Sequence, residues 1–232
     1  IHEFFRKYYH PKNIVVCIVG NVSSWRKKVE DRFMEKSGVI YKEKICDLNP
    51  IIKSKTTVKH KDISNCHITL GFRAVNRSHK DSYVLDVIDA ILGRGQSGKM
   101  FQTIRGEHGL AYEVGTQYVS DSSYGYFAVF AVVDPTKRKK AEKVMLRELV
   151  RLQGIQKKDL DEAKSSIEGE FLLDLEDTQK VADQVLFWHQ MGPIDLMNKY
   201  LSRIRNVSVA DVRRVAKKYL KQYVKVIIEK KK

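Results

Sequence analysis

The sequence predicts an α+β fold of two layers, a largely antiparallel sheet with helices packed on one face. Two neighbouring segments with strand patterning, 111–119 and 124–133, flank Asp121-Ser122-Ser123 and indicate a hairpin. Helical periodicity then runs on from Pro135, and the apolar run Tyr223–Ile228 follows near the end of the chain. Strands paired by a hairpin, followed by several helices and a last strand, are typical of this class.

The first part of the chain has a helix–strand–helix pattern and then loses its periodicity. A helical pattern covers residues 1–9, and the apolar run Ile14–Val19 indicates a buried strand. Ser23-Ser24 can cap a helix over 25–33, where large apolar residues recur every four positions. No periodicity remains over 37–57, which indicates a linker.

Beyond the linker, the spacing of apolar residues predicts each element in turn. Loose alternation over Cys66–Ala74 indicates a half-buried strand, and residues 80–92 place their apolar side chains on one helical face. The helices predicted after the hairpin are one opened by Pro135, one over 160–171, one that ends at Met191 before Gly192-Pro193, and one that begins at the capping pair Ser208 and Asp211.

The start and the end of the chain share one pattern. In each, a helix that ends in basic and aromatic residues leads through a short break into an apolar strand, at residues 5–18 and 216–228. A repeat of this kind has a unit of about 210 residues, so the chain would begin near the end of one unit. We therefore predict the C-terminal end of a preceding domain (1–45), a linker (46–56) and a second domain (57–232).

Composition narrows the classes of function. The net charge is +15, from 43 basic and 28 acidic residues, but the charges are scattered through helical segments. This distribution favours a solvated basic surface over a nucleic-acid site. No apolar run approaches the roughly 20 residues of a membrane span. The three cysteines, Cys17, Cys46 and Cys66, lack metal-ligand spacing, so we expect reduced thiols and a cytoplasmic location.

Two kinds of site are disfavoured by the motifs. The spacing Gly93-x-x-x-x-Gly98-Lys99 approaches a phosphate-binding loop, but Met100 stands where a hydroxyl must reach Mg²⁺. A helical pattern also precedes these glycines, whereas a phosphate loop follows a strand. The seven histidines are spread out, without an H-E-x-x-H or H-x-x-E-H pattern. We therefore predict no metal site and no catalytic centre within this chain.

Arg105 and Tyr112 are the candidate binding residues. Gly106 and Gly109 should end the helical segment that starts near Ser97, which puts Arg105 at a helix end and Tyr112 in the first hairpin strand. At such a junction a guanidinium and a phenol can both donate to one carbonyl oxygen. A solvated arginine and a half-buried tyrosine without a shared role explain the same residues equally well.

Three segments resemble one family. Leu92–Arg105 with Gly109–Tyr112 is similar to the signature LGGG-x-SSRLFQ-x-LRE-x-x-GLAY of the insulinase/pitrilysin/mitochondrial-processing-peptidase superfamily of inverzincin zinc peptidases. Tyr8–Gly20 resembles its YY-x-P-x-NMVL-x-x-VG element, and Asp161–Lys164 fits its EL-x-x-AK helix. The matches keep their order over nearly the whole chain.

The resemblance implies a proteolytic chamber of two halves that close around an unfolded peptide. One half binds Zn²⁺ through H-x-x-E-H and a distant glutamate. The other has lost these ligands and supplies an arginine and a tyrosine, seven positions apart, that contact the substrate at the scissile bond. Arg105 and Tyr112 fall on those two positions. This chain departs from the signature at Gly106, where glutamate is usual, at Lys99, where arginine is usual, and at Arg94 within the glycine run.

The resemblance therefore identifies the chain as the C-terminal, non-catalytic part of a zinc metallopeptidase, inactive alone. Its expected partners are an N-terminal zinc-binding half, on the same polypeptide or a separate subunit, and an unfolded peptide. The alternative is a non-proteolytic structural or peptide-binding subunit. Residues 1–45 would leave an exposed strand edge, which predicts self-association into a homodimer or docking onto the remaining domain.

Overall fold

A computed structural model of the chain describes residues 1–33 and 53–231. In this part, five strands form one sheet in the order β1-β5-β2-β4-β3. Their bounds are β1 (Lys55–Lys61), β2 (Cys66–Ala74), β3 (Ala111–Ser120), β4 (Gly125–Val133) and β5 (Tyr223–Lys230). Neighbouring strands are antiparallel except β1 and β5, which are parallel. The predicted α+β class with a largely antiparallel sheet is confirmed.

The described part contains eight α-helices, and the predicted hairpin and most predicted helices are present. The bounds are α1 (His2–Tyr8), α2 (Trp25–Arg32), α3 (Ser82–Gly93), α4 (Arg138–Arg151), α5 (Lys157–Asp174), α6 (Thr178–Met191), α7 (Asp195–Arg205) and α8 (Val209–Tyr219). The predicted capping pair is confirmed, because the Ser208 and Asp211 side chains each accept from the other's backbone N–H at the start of α8. None of the described helices is long and apolar enough to cross a bilayer.

The core lies between one face of the sheet and the helices. β2 and β4 bury every second side chain on this face, which explains their alternating sequence pattern. α3 lies against it with apolar residues buried along its length, among them Leu85, Ile88 and Leu92. Full burial of one such side chain contributes about 1.5–3 kcal/mol. The helix layer therefore holds the sheet from one side.

Two elements were not predicted. The edge strand β1, Lys-Thr-Thr-Val-Lys-His-Lys, has no alternation of apolar residues and is exposed along nearly its whole length. Its place in the sheet comes from pairing with β5, which sequence periodicity does not report. α7 was also missed, although Leu196, Tyr200 and Ile204 recur every four positions on it. The predicted linker 46–56 lies mostly outside the described residues, and β1 begins within its last two positions.

The prediction of a buried strand at Ile14–Val19 is wrong for this chain. The backbone is extended at Ile14, with φ −107° and ψ 130°, but the segment belongs to no strand in the described sheet. Val15 is 51% exposed and Val16 is 46% exposed. A strand forms when a neighbouring strand pairs with its N–H and C=O groups, and no described segment does so here.

A buried carboxylate links α3 to α8. Asp81, at the N-terminus of α3, is 1% exposed and accepts from Arg214 at 2.8 Å and from the Tyr219 hydroxyl at 2.9 Å. Both partners lie on α8. Burial acts to raise the pKa of Asp81, but these two hydrogen bonds outweigh it, and the pKa is lowered from its ordinary value of 3.8.

We expect Asp81→Asn to lower the free energy of unfolding by about 2 kcal/mol at pH 7, because it leaves Arg214 without its buried partner. The folded state lowers the pKa of Asp81, so its contribution is complete above the unfolded-state pKa and is lost as the pH falls through the folded-state pKa. Urea unfolding at several pH values measures this difference. The exposed Asp161→Asn is the matched control, and an equal loss in both variants would contradict the assignment.

Candidate functional site

The segment that leads to the candidate site begins at the end of α3. A 3₁₀ turn, Gly95–Ser97, follows the helix, and a π-helix, Phe101–Glu107, leads into β3. The glycines thus follow a helix and not a strand. This placement agrees with the rejection of a phosphate-binding loop, whose glycines connect a strand to a helix.

Gly98 allows the chain to turn back tightly on the end of α3. A Cβ atom at this position would lie 2.6 Å from the carbonyl oxygen of Leu92 and 2.8 Å from the backbone nitrogen of Arg94. Both are backbone atoms that cannot move aside, so only glycine fits without a shift of the chain. The position of the following π-helix therefore depends on this glycine.

The structure brings Arg105 and Tyr112 into contact. Nη1 of Arg105 donates to the backbone carbonyl oxygen of Tyr112 at 2.6 Å, and the guanidinium lies over the ring of Phe101, 5.2 Å from its centroid. Arg105 is exposed, and Tyr112 is 60% exposed. Within the described part of the chain the Tyr112 hydroxyl has no partner. One hydrogen bond and one ring thus orient the guanidinium of this exposed side chain.

Local backbone geometry presents both side chains. The π-helix buries Thr103 and Ile104 and leaves Arg105 on its outer side. π-Helical turns are rare and are frequent at functional sites. Tyr112 lies where the pairing of β3 with β4 shifts between Ala111 and Glu113. Such a bulge redirects a side chain from the regular alternation of a strand. The predicted helix-end position of Arg105 and strand position of Tyr112 are confirmed, whereas the helix type was not predicted.

Residues of other elements hold the loop between the two side chains. Lys137 Nζ donates to the Gly109 carbonyl oxygen at 3.0 Å, and Arg147 Nη2 lies 3.1 Å from His108 Nε2. Gly109 has φ +55°, a conformation that favours glycine. Sequence reasoning missed Lys137, Arg147 and the stacking role of Phe101. No local signal marks Lys137 and Arg147, because they reach the loop from elements far along the chain.

A buried carboxylate lies next to this loop on α4. Glu148 is 3% exposed, and burial raises its pKa against the opposing effect of Arg151, whose Nη1 donates to it at 2.8 Å, and of Arg147. Arg147 Nε lies 3.9 Å from the same carboxylate. Glu148 therefore helps to orient the arginine that contacts His108.

The described residues do not fit a zinc ion. Within residues 1–33 and 53–231, no three His, Cys, Asp or Glu side chains come together as a metal site requires. The arrangement around Arg105 and Tyr112 offers hydrogen-bond donors without an adjacent nucleophile and base. It can bind and polarise a carbonyl group, and hydrolysis requires groups from elsewhere.

Comparison with known proteins identifies the family of this chain. Residues 1–167 match the family model of the peptidase M16 inactive domain. The chain belongs to this family. An uncharacterized zinc protease of Streptomyces coelicolor is 29% identical over 235 residues, which cover 95% of this chain and 50% of that protein. The uncharacterized zinc protease YmxG of Bacillus subtilis is 28% identical over 182 residues, which cover 77% of this chain and 44% of that protein.

This M16 inactive domain also resembles solved structures. A protease from Helicobacter pylori matches with a TM-score of 0.84 at 24% identity, covering 97% of this chain and 57% of that chain. The peptidase M16 inactive domain from Pseudomonas fluorescens matches with a TM-score of 0.80 at 16% identity, covering 96% and 55%. These likenesses show the fold. The resemblance to the zinc-peptidase superfamily is confirmed, and the chain spans about half the length of the curated relatives it matches.

We expect Gly98→Ala in this M16 inactive domain to lower the free energy of unfolding by about 2 kcal/mol, because its Cβ would overlap backbone atoms. Gly106→Ala is the matched control. Its Cβ would meet only the Phe101 carbonyl oxygen at 3.8 Å, an ordinary contact. Alanine there should change stability by less than about 1 kcal/mol. Urea unfolding of both variants measures the difference, and similar values would refute the role of Gly98.

Proposed function

We propose that the chain is the C-terminal, non-catalytic half of a zinc metalloendopeptidase, and that Arg105 and Tyr112 contact the peptide substrate. The supporting observation is the exposed pair itself, in which Arg105 is oriented by the Tyr112 carbonyl oxygen and Phe101. The equally simple interpretation is that Arg105 and Tyr112 are unrelated surface residues, but it does not require the contact between them. Membership of the M16 inactive-domain family supports the same role.

In this proposal Arg105 and Tyr112 donate hydrogen bonds to a peptide carbonyl oxygen. The Tyr112 carbonyl oxygen occupies one N–H of the guanidinium at 2.6 Å and leaves others for the substrate. Negative charge that develops on the carbonyl oxygen during attack is stabilised by donors that are already oriented. The chain contributes binding and polarisation, and it is inactive by itself.

The catalytic chemistry belongs to a partner half. Curated relatives described as zinc proteases are about twice as long as this chain, and the described residues offer no metal site. A zinc-binding half on the same polypeptide or a separate subunit would complete a chamber around an unfolded peptide. A non-proteolytic, peptide-binding or structural subunit is the alternative function, and a degenerate zinc motif in the other half would favour it. A cytoplasmic location remains part of this proposal.

Residues 1–45 are assigned to the end of the preceding domain. The apolar side chains of the described residues 1–33 support this assignment, because α1 and α2 have no buried residues. Phe4 is 60% exposed, Phe5 57% and Trp25 45%. Exposed apolar residues in such density mark a surface that is covered in the complete protein.

We expect Arg105→Ala and Tyr112→Phe each to lower turnover by roughly 10²–10³ in the protein that contains both halves, the usual loss for one donor to a developing oxyanion. The rate of peptide hydrolysis at saturating substrate measures this change in kcat. Tyr124→Phe, in the turn at the far end of the hairpin, is the matched control and should retain full activity. Wild-type rates in both site variants would refute the assigned role.

We expect the 232-residue chain to self-associate through its exposed N-terminal segment, and deletion of residues 1–33 to abolish this. The cause is the exposed apolar surface and the unpaired extended segment Ile14–Val19. Light scattering after size-exclusion chromatography measures the mass over a range of concentrations. Addition of the zinc-binding half should also remove self-association, whereas a monomer at all concentrations would contradict this expectation.

A further inference from the structure

The face of the sheet opposite the helices has a distinct composition. The core residues Ile68 and Leu70 of β2 point to the helices, so the residues between them point away. The pairing registers extend this alternation to the other strands. We call this second side the open face. The buried residues of the described helices pack against the other face of the sheet, not against the open face.

Apolar side chains lie on both sides of the central strand β2 on the open face. Four half-buried apolar side chains lie on this face: Val226 and Ile228 of β5, and Phe130 and Val132 of β4. The Phe130 ring covers Gly115 of β3, since a Cβ at Gly115 would lie 2.9 Å from Phe130 Cζ. His67, Thr69 and Gly71 of β2 lie between these side chains, and we call the whole group the apolar centre of the open face. Such a surface suits an extended chain with apolar side chains.

Positive charge borders this apolar centre. The registers place five basic residues and one acidic residue, Glu113, on the open face. The basic residues are Lys55, Lys59, Lys61, Arg73 and Lys230. The three lysines of β1 are exposed. Within residues 1–33 and 53–231, none of the five basic side chains forms an ion pair. The basic side chains of the helix layer differ, because many of them are paired with carboxylates there.

One of these basic groups lacks a hydrogen-bond partner although it is shielded from solvent. Nη1 of Arg73 is buried and donates to no atom of the described chain. Arg73 lies opposite Tyr126 in the antiparallel pair of β2 and β4. A buried donor without an acceptor costs about 1–3 kcal/mol, and a carboxylate placed on this face would remove that cost.

We propose that the open face binds extended polypeptide segments that combine acidic and apolar side chains. The apolar centre contacts the apolar residues, and Lys55, Lys59, Lys61 and Arg73 contact the carboxylates. This inference rests on the proposed role of the chain as a peptide-binding half and defines the class of peptide that it selects. Nucleic acid also complements positive charge, but the aliphatic side chains of Val132, Val226 and Ile228 offer bases no ring to stack on, which favours a polypeptide.

The dimensions connect the open face to the candidate site. Glu113 follows Tyr112 on β3, and the registers align it across the sheet with Val132, His67, Ile228 and Lys59. Four strand spacings separate β3 from β1, a distance of ~19 Å. An extended peptide covers it in about six residues. A peptide held at Arg105 and Tyr112 can therefore reach the lysines of β1.

The test uses fluorescence anisotropy with two labelled peptides of about 15 residues and the 232-residue chain, at low salt where charge screening is weak. The peptides have identical apolar residues, and one has four glutamates where the other has four lysines. We expect the acidic peptide to bind at least about tenfold more tightly, with an affinity that falls as salt is added. Equal binding of the two peptides would overturn the proposal.

Two triple variants with the same change in charge locate the surface. Lys55→Glu, Lys59→Glu and Lys61→Glu together should weaken the acidic peptide about tenfold. The matched control reverses three exposed lysines of α4, Lys139, Lys140 and Lys143, and should leave the affinity within twofold. Circular dichroism checks that each variant folds, and single Lys59→Glu replaces the first if β1 is lost. Equal weakening by both triple variants would overturn the proposal.

Further measurements distinguish this inference from its alternatives. Binding and turnover are measured separately, so wild-type turnover of Arg105→Ala in the protein with both halves would refute the proposed catalytic role and would leave the binding expected of the open face unchanged. A 15-nucleotide RNA that binds more tightly than the acidic peptide would overturn the proposal in favour of a nucleic-acid surface. Self-association abolished by the β1 variant, with no peptide binding, would overturn it in favour of a second copy of the chain.

Discussion

The packing of α3 across one face of the sheet is the contact on which the rest of the domain depends. The helix is buried along most of its length, and each of its polar positions is used to fix a neighbour. Asp89 accepts from Thr116 Oγ1 at 2.5 Å and from the Tyr118 backbone N–H at 3.2 Å, which holds the outer strand β3. Burial raises the pKa of Asp89, although these hydrogen bonds oppose the increase. Asp81 holds α8 from the other end of the same helix.

The geometry of the candidate site follows from this contact. α3 ends against β3, and Gly98 lets the chain turn back within van der Waals distance of the helix end. The π-helix then starts in a defined place, with Thr103 and Ile104 buried beneath it. Arg105 can therefore meet the Tyr112 carbonyl oxygen at 2.6 Å although both residues are exposed. Buried residues therefore position the exposed pair, and the guanidinium of Arg105 is oriented without burial of its charge.

The proposed function separates binding, by this chain, from catalysis, by a partner half. The exposed side chains of Arg105 and Tyr112 are hydrogen-bond donors, and no three His, Cys, Asp or Glu side chains of the described residues come together as a metal site requires. In the proposed function, carbonyl and carboxylate contacts hold a polypeptide on this surface, and a partner supplies the groups that cleave it. The apolar residues of the N-terminal segment are exposed, and the chain spans about half the length of the curated relatives it matches.

Much of the fold and half of the candidate site were predictable from the sequence. The hairpin, α3, the helices that follow and the spacing of Arg105 and Tyr112 depend on local periodicity, glycines and capping residues, which neighbouring residues determine. The order of strands, the pairing of β1, and the stacking of Arg105 on Phe101 were not predictable in this way. Those features depend on contacts between segments that are distant in sequence, and periodicity contains no information about them.

The two apolar runs at the ends of the chain show the difference most directly. Ile14–Val19 and Tyr223–Ile228 have nearly the same pattern, and the sequence by itself determined that both prefer an extended backbone. Only the tertiary structure decided that the second becomes β5, between β1 and β2, while the first remains exposed. The physical reason is that an extended segment becomes a strand when neighbours satisfy its backbone hydrogen bonds, and only the second run has such neighbours in the described chain.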